Sequence, residues 1–357
     1  MEAMEAMEPG DEHRTAAARA WYARELGAGV ERFLEPRRRN CPWCGCADLA
    51  VLLRTGDRYQ GKPGRFTLEE CRGCGHVFQN PRLTPEGLDF YYRDFYDGYG
   101  ERVWEFNFRW STGACRGRAG LCEAHGVTPT AWLDVGAGHG HFCGHARTRW
   151  PRAVFHGLDQ GDGIERGMKR GWLDEVHRGR FTDLADELSG RYDVVSMHHY
   201  LEHTRDPFAE LEAAARTLTP GGHLLIEVPD PQWPVARLMG RYWLSWSQPQ
   251  HQHLIPAGNL AEALTARGFT VVGEQRGAAH QWGGEMCPGL FFGRVKADPR
   301  APWKPEPPSW RRGLWPVTLL AAALALPAAA VFDTLMVPLA RVADRGNTYR
   351  MLARKAA

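Results

Sequence analysis

Several things are scarce in this 357-residue chain, and each scarcity excludes something. Net charge is nearly absent: 44 Lys and Arg stand against 42 Asp and Glu, leaving +2. So small a balance gives no basic field for nucleic acid. Cysteine is sparse, nine in all, and four of the nine sit in two close pairs, which is no disulfide scaffold. There is no internal repeat. The opening "MEAMEAMEPGDEH" is acidic and lacks an apolar run, so no secretory signal is expected and a reducing cytoplasm is the expected compartment. Hydrophobic residues at 43% and charged residues at 24% are ordinary for a globular protein.

What is present divides the chain. Residues 1–35 read as a charged lead-in with one helix, and 36–82 as a cysteine-bearing module. Residues 83–125 read as an aromatic-rich helical connector, "DFYYRDFYDGYGERVWEFNFRW". From 126 to 297 short apolar runs alternate with helical stretches. "AWLDVG", "AVFHGLD", "YDVVSM" and "HLLIEVP" have the continuous apolar character of buried parallel strands. "DPFAELEAAARTL" and "GNLAEALTARGF" are helical, and "TVVGEQ" is a further strand. The alternation predicts a doubly wound α/β sheet, mostly parallel. Residues 298–345 comprise a proline-rich connector and an apolar helical segment. Residues 346–357 include a candidate last strand, "NTYRMLARK", with "GLFFGRVKA" (289–297) as its rival.

"LDVGAGHGHF" (133–142) is a strand running into a glycine turn. A dinucleotide fingerprint needs glycine at a third place that His141 occupies here. Gly136, Gly138 and Gly140 instead form D-x-G-x-G-x-G behind Asp134. Glycines let a backbone approach a ligand closely, and the following helix offers free N–H groups. With Asp159 ending the next strand, and with "LTPGGHLLIEVP" further on, the set resembles class I S-adenosylmethionine-dependent methyltransferases. That resemblance covers roughly residues 130–276. It implies that Asp134 and the glycine loop hold the methionine part of the cofactor, that Asp159 accepts the ribose hydroxyls, and that Asp183 meets the adenine. Reacting groups in an open α/β sheet lie beyond the carboxyl ends of the strands, which places His198, His199, Tyr200, Glu202 and His203, after the fourth strand, near the methyl group.

"CPWCG" (41–45) and "CRGCG" (71–75) are two C-x-x-C knuckles, each followed by a glycine able to take a left-handed turn. Cys41, Cys44, Cys71 and Cys74 would close a tetrahedral, structural zinc site, with a hairpin between the knuckles. Cys46 is a possible substitute ligand, His76 a flanking residue, and a redox pair the rival reading. Cys115, Cys122, Cys143 and Cys287 read as small apolar residues.

A four-cysteine module ahead of such a core is similar to the deoxysugar C-methyltransferases, which act on nucleotide-linked 4-keto sugars. Their Tyr-x-Glu-His cluster matches Tyr200, Glu202 and His203. The resemblance implies that His203 removes the proton next to the ketone while Tyr200 and Glu202 orient it or stabilise the enolate. The rival reading makes Glu202 and His203 helix-start residues. His253-Leu254 matches a pair the family places at a helix start. His251 and His253 either face substrate or are loop histidines. One or two of Tyr91, Tyr92, Tyr96 and Tyr99 could close over the site. The acceptor expected is a small metabolite, as a nucleotide- or lipid-linked sugar, methylated at carbon or oxygen. The alternatives are a zinc-ribbon RNA base methyltransferase, opposed by the near-neutral charge, and a cofactor-binding protein without catalysis, opposed by the intact glycine turn.

"GLWPVTLLAAALALPAAAVF" (313–332) is uncharged and long enough to span a bilayer, but Pro316, Pro327 and Pro338 interrupt the stretch. The expectation is a proline-broken helical hairpin over residues 313–340 that lies in the membrane interface, on the cytoplasmic face, or caps the protein. Arg311, Arg312, Arg341 and Arg345 would meet anionic head groups. A buried or dimer-forming helix pair and a single-pass span are the alternatives.

Overall fold

The computed structural model describes residues 9–93, 112–287, 301–304 and 309–357, with side chains placed from 16 and from 315 in the first and last helices. Tyr96, Tyr99 and the "GLFFGRVKA" segment lie outside the described residues.

The central layer is a seven-stranded sheet. In chain order its strands are β4 (Ala131–Val135), β5 (Val154–Asp159), β6 (Glu175–Arg178), β7 (Tyr192–His198), β8 (Leu218–Pro229), β10 (Phe269–Gln275) and β11 (Thr348–Lys355). They lie side by side as β10-β11-β8-β7-β4-β5-β6. β11 runs antiparallel between β8 and β10, with Met351 opposite Ile226 and Glu274. Alternate residues feed two apolar layers. Leu133 and Val135 of β4, Val195 and Met197 of β7, and Tyr349 and Met351 of β11 enter one layer. Trp132, Val194 and Leu352 enter the other. Sheets buried on both faces need such uninterrupted apolar runs, and each large side chain withdrawn from water contributes roughly 1.5–3 kcal/mol. β6 is the exception, a short polar edge strand that no apolar run announced.

Helices cover both faces: α3 (Thr112–Ala124), α4 (His141–Ala146), α5 (Ile164–Lys169), α6 (Phe181–Leu184), α7 (Pro207–Thr217), α8 (Pro234–Met239) and α9 (Ala257–Thr265). α7 starts cleanly, because Asp206 accepts from the Phe208 and Ala209 N–H groups and Pro207 occupies the first turn.

Ahead of the core, α1 (Pro9–Gly27) precedes a hairpin of β1 (Leu49–Thr55) and β2 (Phe66–Cys71), and then β3 (Val77–Gln79) and α2 (Pro85–Tyr92). The small sheet runs β1-β2-β3-β9, and β9 (His253–Leu254) comes from the core. His253-Leu254 is therefore a two-residue strand that fastens the module to the core, not the start of a helix. Its backbone groups are satisfied by β3 before α9 begins.

The apolar segment is one helix, α10 (Ser309–Ala343), with Pro316, Pro327 and Pro338 inside it. The expected hairpin is corrected. An interior proline removes one hydrogen bond and costs about 3 kcal/mol, which bends a helix without having to end it. The surrounding alanines and leucines are the strongest helix formers. Ala329, Asp333 and Ala340 are buried along one face. The Asp333 carboxylate accepts from the Met286 and Cys287 N–H groups (2.8 and 3.2 Å). At Gly277 an added Cβ would lie 2.3 Å from the Ala340 carbonyl oxygen, so only glycine admits the helix there.

Candidate active site

The glycine turn leaves β4 with Gly136, Gly138 and Gly140 at φ of 74°, 54° and 76°, the left-handed region that side chains avoid. A Cβ at Gly136 would stand 2.7 Å from the Tyr200 ring, which packs against the turn. The Gly138 N–H donates to Asp159 Oδ2 (2.9 Å), and the Gly161 N–H donates to Oδ1 (2.8 Å). The acid at the end of β5 is thus held at the lip of the loop.

Behind the turn Asp134 is buried and accepts from Ser196 Oγ (2.6 Å), which in turn accepts from Trp132 Nε1 (2.8 Å). Burial raises its pKa to about 6 in spite of the serine. His198 Nε2 lies 3.8 Å from Asp134 Oδ1, and its ring packs on Phe142 at 4.4 Å. Neither His198 nitrogen has a hydrogen-bond partner among the described residues. Burial holds this imidazole neutral, well below its usual range. Asp183 sits in the first turn of α6, exposed. A left-handed cradle, a fixed carboxylate and an unpartnered buried imidazole suit a cofactor rich in donors and acceptors. Asp134, Gly136, Gly138, Gly140, Asp159 and His198 would hold it.

Past β7 the chain turns sharply. His199 has φ 51°, an uncommon strain for a non-glycine residue. Its ring bridges two buried acids, with Nδ1 3.1 Å from Glu202 Oε1 and Nε2 3.3 Å from Glu227 Oε1. Burial opposes charge on this ring, but the hydrogen bonds to both acids win and raise its pKa to about 9. Glu227 also accepts from Arg118 (Nε 2.9 Å, Nη2 2.5 Å), from Gln281 Nε2 (2.8 Å) and from Arg350. Burial pushes Glu227 up, yet the two guanidiniums hold it well below the carboxylate range. Gly117 makes room for Arg350, because a Cβ there would meet its Nη1 at 2.3 Å.

His203 follows in the turn Leu201–His203, half-buried. Its Nδ1 is 2.5 Å from the Tyr92 hydroxyl, and its ring lies edge-on to His251 at 4.5 Å. His251 Nδ1 is in turn 2.8 Å from the Ser245 carbonyl oxygen. Burial lowers the pKa of both rings, His251 to about 3. Glu202 is 1% exposed, and its Oε2 has no partner among the described residues. One donor atom each from Glu202, His203 and His251 lies within 4.8 Å of the others, a set that could also hold a metal ion. Tyr200 does not join them. Its hydroxyl donates to Glu210 Oε2 (3.1 Å).

Tyr92 comes from the N-terminal module. Thr84 caps α2 by accepting from the Gly87 N–H (3.0 Å), and Gly87 lets the helix press on the Phe33 carbonyl oxygen. Lys62, buried, donates at the other end to the carbonyls of Phe90 (2.8 Å) and Arg93 (2.6 Å). The module is seated by Trp43 on Phe208 (4.5 Å) and by His76 Nε2 3.0 Å from His253 Nδ1. His253 thus serves the interface and His251 the site.

In the module Cys41 Sγ is 3.7 Å from Cys74 Sγ, and Cys44 Sγ is 3.5 Å from Cys71 Sγ. All four sulfurs lie within 4.8 Å of one another, and Gly45 and Gly75 are left-handed, at φ 76° and 72°. Such S···S spacings fit tetrahedral zinc with Zn–S bonds of about 2.3 Å. Cys46 stands outside this group.

The methyltransferase-domain family profile matches residues 112–274. A ubiquinone biosynthesis O-methyltransferase of Idiomarina loihiensis is 29% identical over 165 residues, 42% of this chain and 66% of that protein. Its counterpart in Pectobacterium atrosepticum is 33% identical over 111 residues, 29% of this chain and 44% of that one. The chain thus spans less than two thirds of the length of these curated relatives. Among solved structures, a Burkholderia thailandensis 1,6-didemethyltoxoflavin-N1-methyltransferase shares 16% identity with a TM-score of 0.46, covering 82% of this chain and 96% of that one. With its sheet order and glycine turn, the core has the class I S-adenosylmethionine-dependent methyltransferase fold, homologous over part of its length to small-molecule O-methyltransferases.

Proposed function

We propose that this protein transfers a methyl group from S-adenosylmethionine to a small-molecule acceptor, with His203 as general base. The observation that carries the reading is the neutral His203 ring, paired with Tyr92 in the turn that follows the cofactor-side strand β7. The bound cofactor would supply an electrophilic methyl group on sulfur. His203 accepts a proton from the acceptor; its depressed pKa keeps it unprotonated at neutral pH. Tyr92 orients the ring through Nδ1, and a backbone hydrogen bond to Gln250 also holds it. Glu202, anionic beside the imidazolium of His199, favours the charge that develops on His203. Asp159 and the glycine loop hold the cofactor, with Asp183 at the adenine end. The Tyr-x-Glu-His spacing supports a nucleotide- or lipid-linked sugar as acceptor, with Tyr92 standing where Tyr200 was expected.

Cys41, Cys44, Cys71 and Cys74 hold a structural zinc in this reading. α10 lies flat on a membrane surface. Eight large aliphatics are exposed among the described residues of the helix; all but Leu326, that is Val317, Leu320, Leu324, Val331, Leu335, Leu339 and Val342, recur at helical spacing on the face opposite Ala329, Asp333 and Ala340. A transverse span is opposed by the anchors at both ends. Trp303 donates to the Gln60 carbonyl (3.1 Å) beside Tyr22, and Ala340 packs near Trp233 in the same body. Contacts of this kind on both flanks of the segment support an in-plane helix over a transverse span. An in-plane helix also suits a lipid-linked acceptor.

The test is transfer of labelled methyl from S-adenosylmethionine into a cell extract, sorted into nucleotide sugars, lipid-linked material, RNA and protein. Label in a sugar or lipid-linked fraction should fall about 10²- to 10⁴-fold in His203→Ala, while cofactor binding is kept. Asp159→Ala should lose cofactor binding itself. Label in RNA, or a rate indifferent to His203→Ala, sinks the assignment.

A further inference from the structure

A second group of ligating side chains lies away from this site, at the outer edge of the large sheet. His156 is the third residue of β5, and its cross-strand partner is Glu175, the first residue of β6. His177 stands two residues beyond Glu175, on the same face by strand periodicity. Tyr192, at the start of β7, reaches the same point beneath β4. The group lies about 10 Å along β5 from Asp159.

Four donors face one another there. His156 Nδ1 is 3.3 Å from Glu175 Oε2 and 2.9 Å from the Tyr192 hydroxyl. His177 Nε2 is 3.6 Å from Glu175 Oε1 and 3.1 Å from the same hydroxyl. One ligating atom each from His156, Glu175 and His177 lies within 4.8 Å of the others. Zinc bonds to nitrogen and oxygen are about 2.0–2.1 Å, so the edges of a zinc tetrahedron are about 3.3 Å. The distances here, 2.9 to 3.6 Å, bracket that edge. The Tyr192 hydroxyl can donate to one ring nitrogen and accept from the other, so it holds both imidazoles at one point. Burial lowers the pKa of both rings, which leaves them in the neutral form that metals require. Arg191 Nη2 is 3.1 Å from Glu175 Oε2, on the partly exposed side of that carboxylate. It opposes a cation by charge but leaves Oε1 toward His177, as an outer partner of a ligating carboxylate does.

We propose that His156, His177 and Glu175 bind one zinc-class dication, with the Tyr192 oxygen or a water at the fourth position. Two imidazoles with one carboxylate select zinc, cobalt or nickel over magnesium or calcium, which demand more oxygen ligands. The ion ties the four-residue edge strand β6 to β5 and closes the side of the sheet that ends at the cofactor carboxylate.

The test uses the full chain carrying one zinc in its cysteine site, titrated with Co²⁺ and, separately, with Zn²⁺ by calorimetry. The expected result is one further equivalent. Its cobalt spectrum should show weak visible bands without the strong thiolate charge-transfer bands of a cysteine site. His156→Ala, His177→Ala and Glu175→Gln should each weaken this equivalent about 10-fold or more and leave the first untouched. Added Zn²⁺ should raise the melting temperature of the parent chain and not of these variants. Glu175 is partly exposed, so Glu175→Gln remains informative if a histidine variant folds poorly. No second equivalent, or one that binds equally well in all three variants, overturns the proposal.

Discussion

His199 shows how much of the site's electrostatics rests on one ring. It is an imidazolium between Glu202 and Glu227, with a pKa raised to about 9 from 6.5. A folded-state pKa above the unfolded one adds stability that is complete below pH 6.5 and is lost as pH rises through about 9. Urea unfolding at pH 6.5 and pH 9.5 should therefore differ by on the order of 1–3 kcal/mol from this group. His199→Gln should be less stable at pH 6.5 and flatten the profile between the two values. An unchanged slope in the variant would mean that His199 is not charged in the folded protein. The sequence placed His199 with His198, Tyr200, Glu202 and His203 near the methyl group, but it did not show the ring as a bridge between two buried acids. Local spacing shows what sits on one strand end. It does not show Glu227, Arg118 and Arg350, which meet from positions 109 and 123 residues apart. Tyr92 was one of four tyrosines proposed to close the site, and nothing in the connector favoured it over the others. The glycine loop and Asp159 were legible because close backbone approach and a strand-end acid leave a local signature.

Elements were readable where an apolar run or a cap dictated them. The long strands, α7 and α9 belong to that class. β6 was missed, since a polar edge strand has no apolar period to detect. α10 was misread because prolines were given more breaking power than they have in an alanine-rich helix. Its packing depends on Gly277. Gly277→Ala should cost about 1–3 kcal/mol and loosen α10, since its Cβ would strike backbone and not a movable side chain. Faster hydrogen exchange around Ala340 would report that loosening, and unchanged protection would show the contact to be unimportant. The exposed stripe makes a separate prediction. Sedimentation with vesicles containing anionic lipid should capture the parent chain but release a Leu324→Glu, Leu335→Glu double variant. Equal capture of both would remove the membrane from the proposed function.

At the scale of the whole molecule, the module and the core share a sheet. β3 pairs with β9, and Cys74 accepts through its carbonyl from Asn259 Nδ2 (3.1 Å). Chelating the zinc proposed for the cysteine site should therefore destabilise more than the module. The prediction is a single melting transition in the zinc-loaded chain that shifts down as a whole after chelation, together with loss of Tyr92-dependent activity. Two separate transitions, with the core melting unchanged, would make the module an independent appendage. The doubly wound architecture was legible in the alternation of runs and helices. How the module docks was not, because the two residues of β9 carry no pattern of their own.

The position of β11 has a further consequence for biosynthesis. β8 and β10 emerge from the ribosome first, yet neither can pair with the other until the strand between them arrives. From Gln275 to Lys355 that takes about 4–16 s at usual elongation rates, with two strand edges left open. The apolar stripe of α10 is synthesised inside this interval. A nascent chain would thus present the exposed apolar stripe of α10 while its sheet is still incomplete, and the last strand to arrive closes both open edges at once.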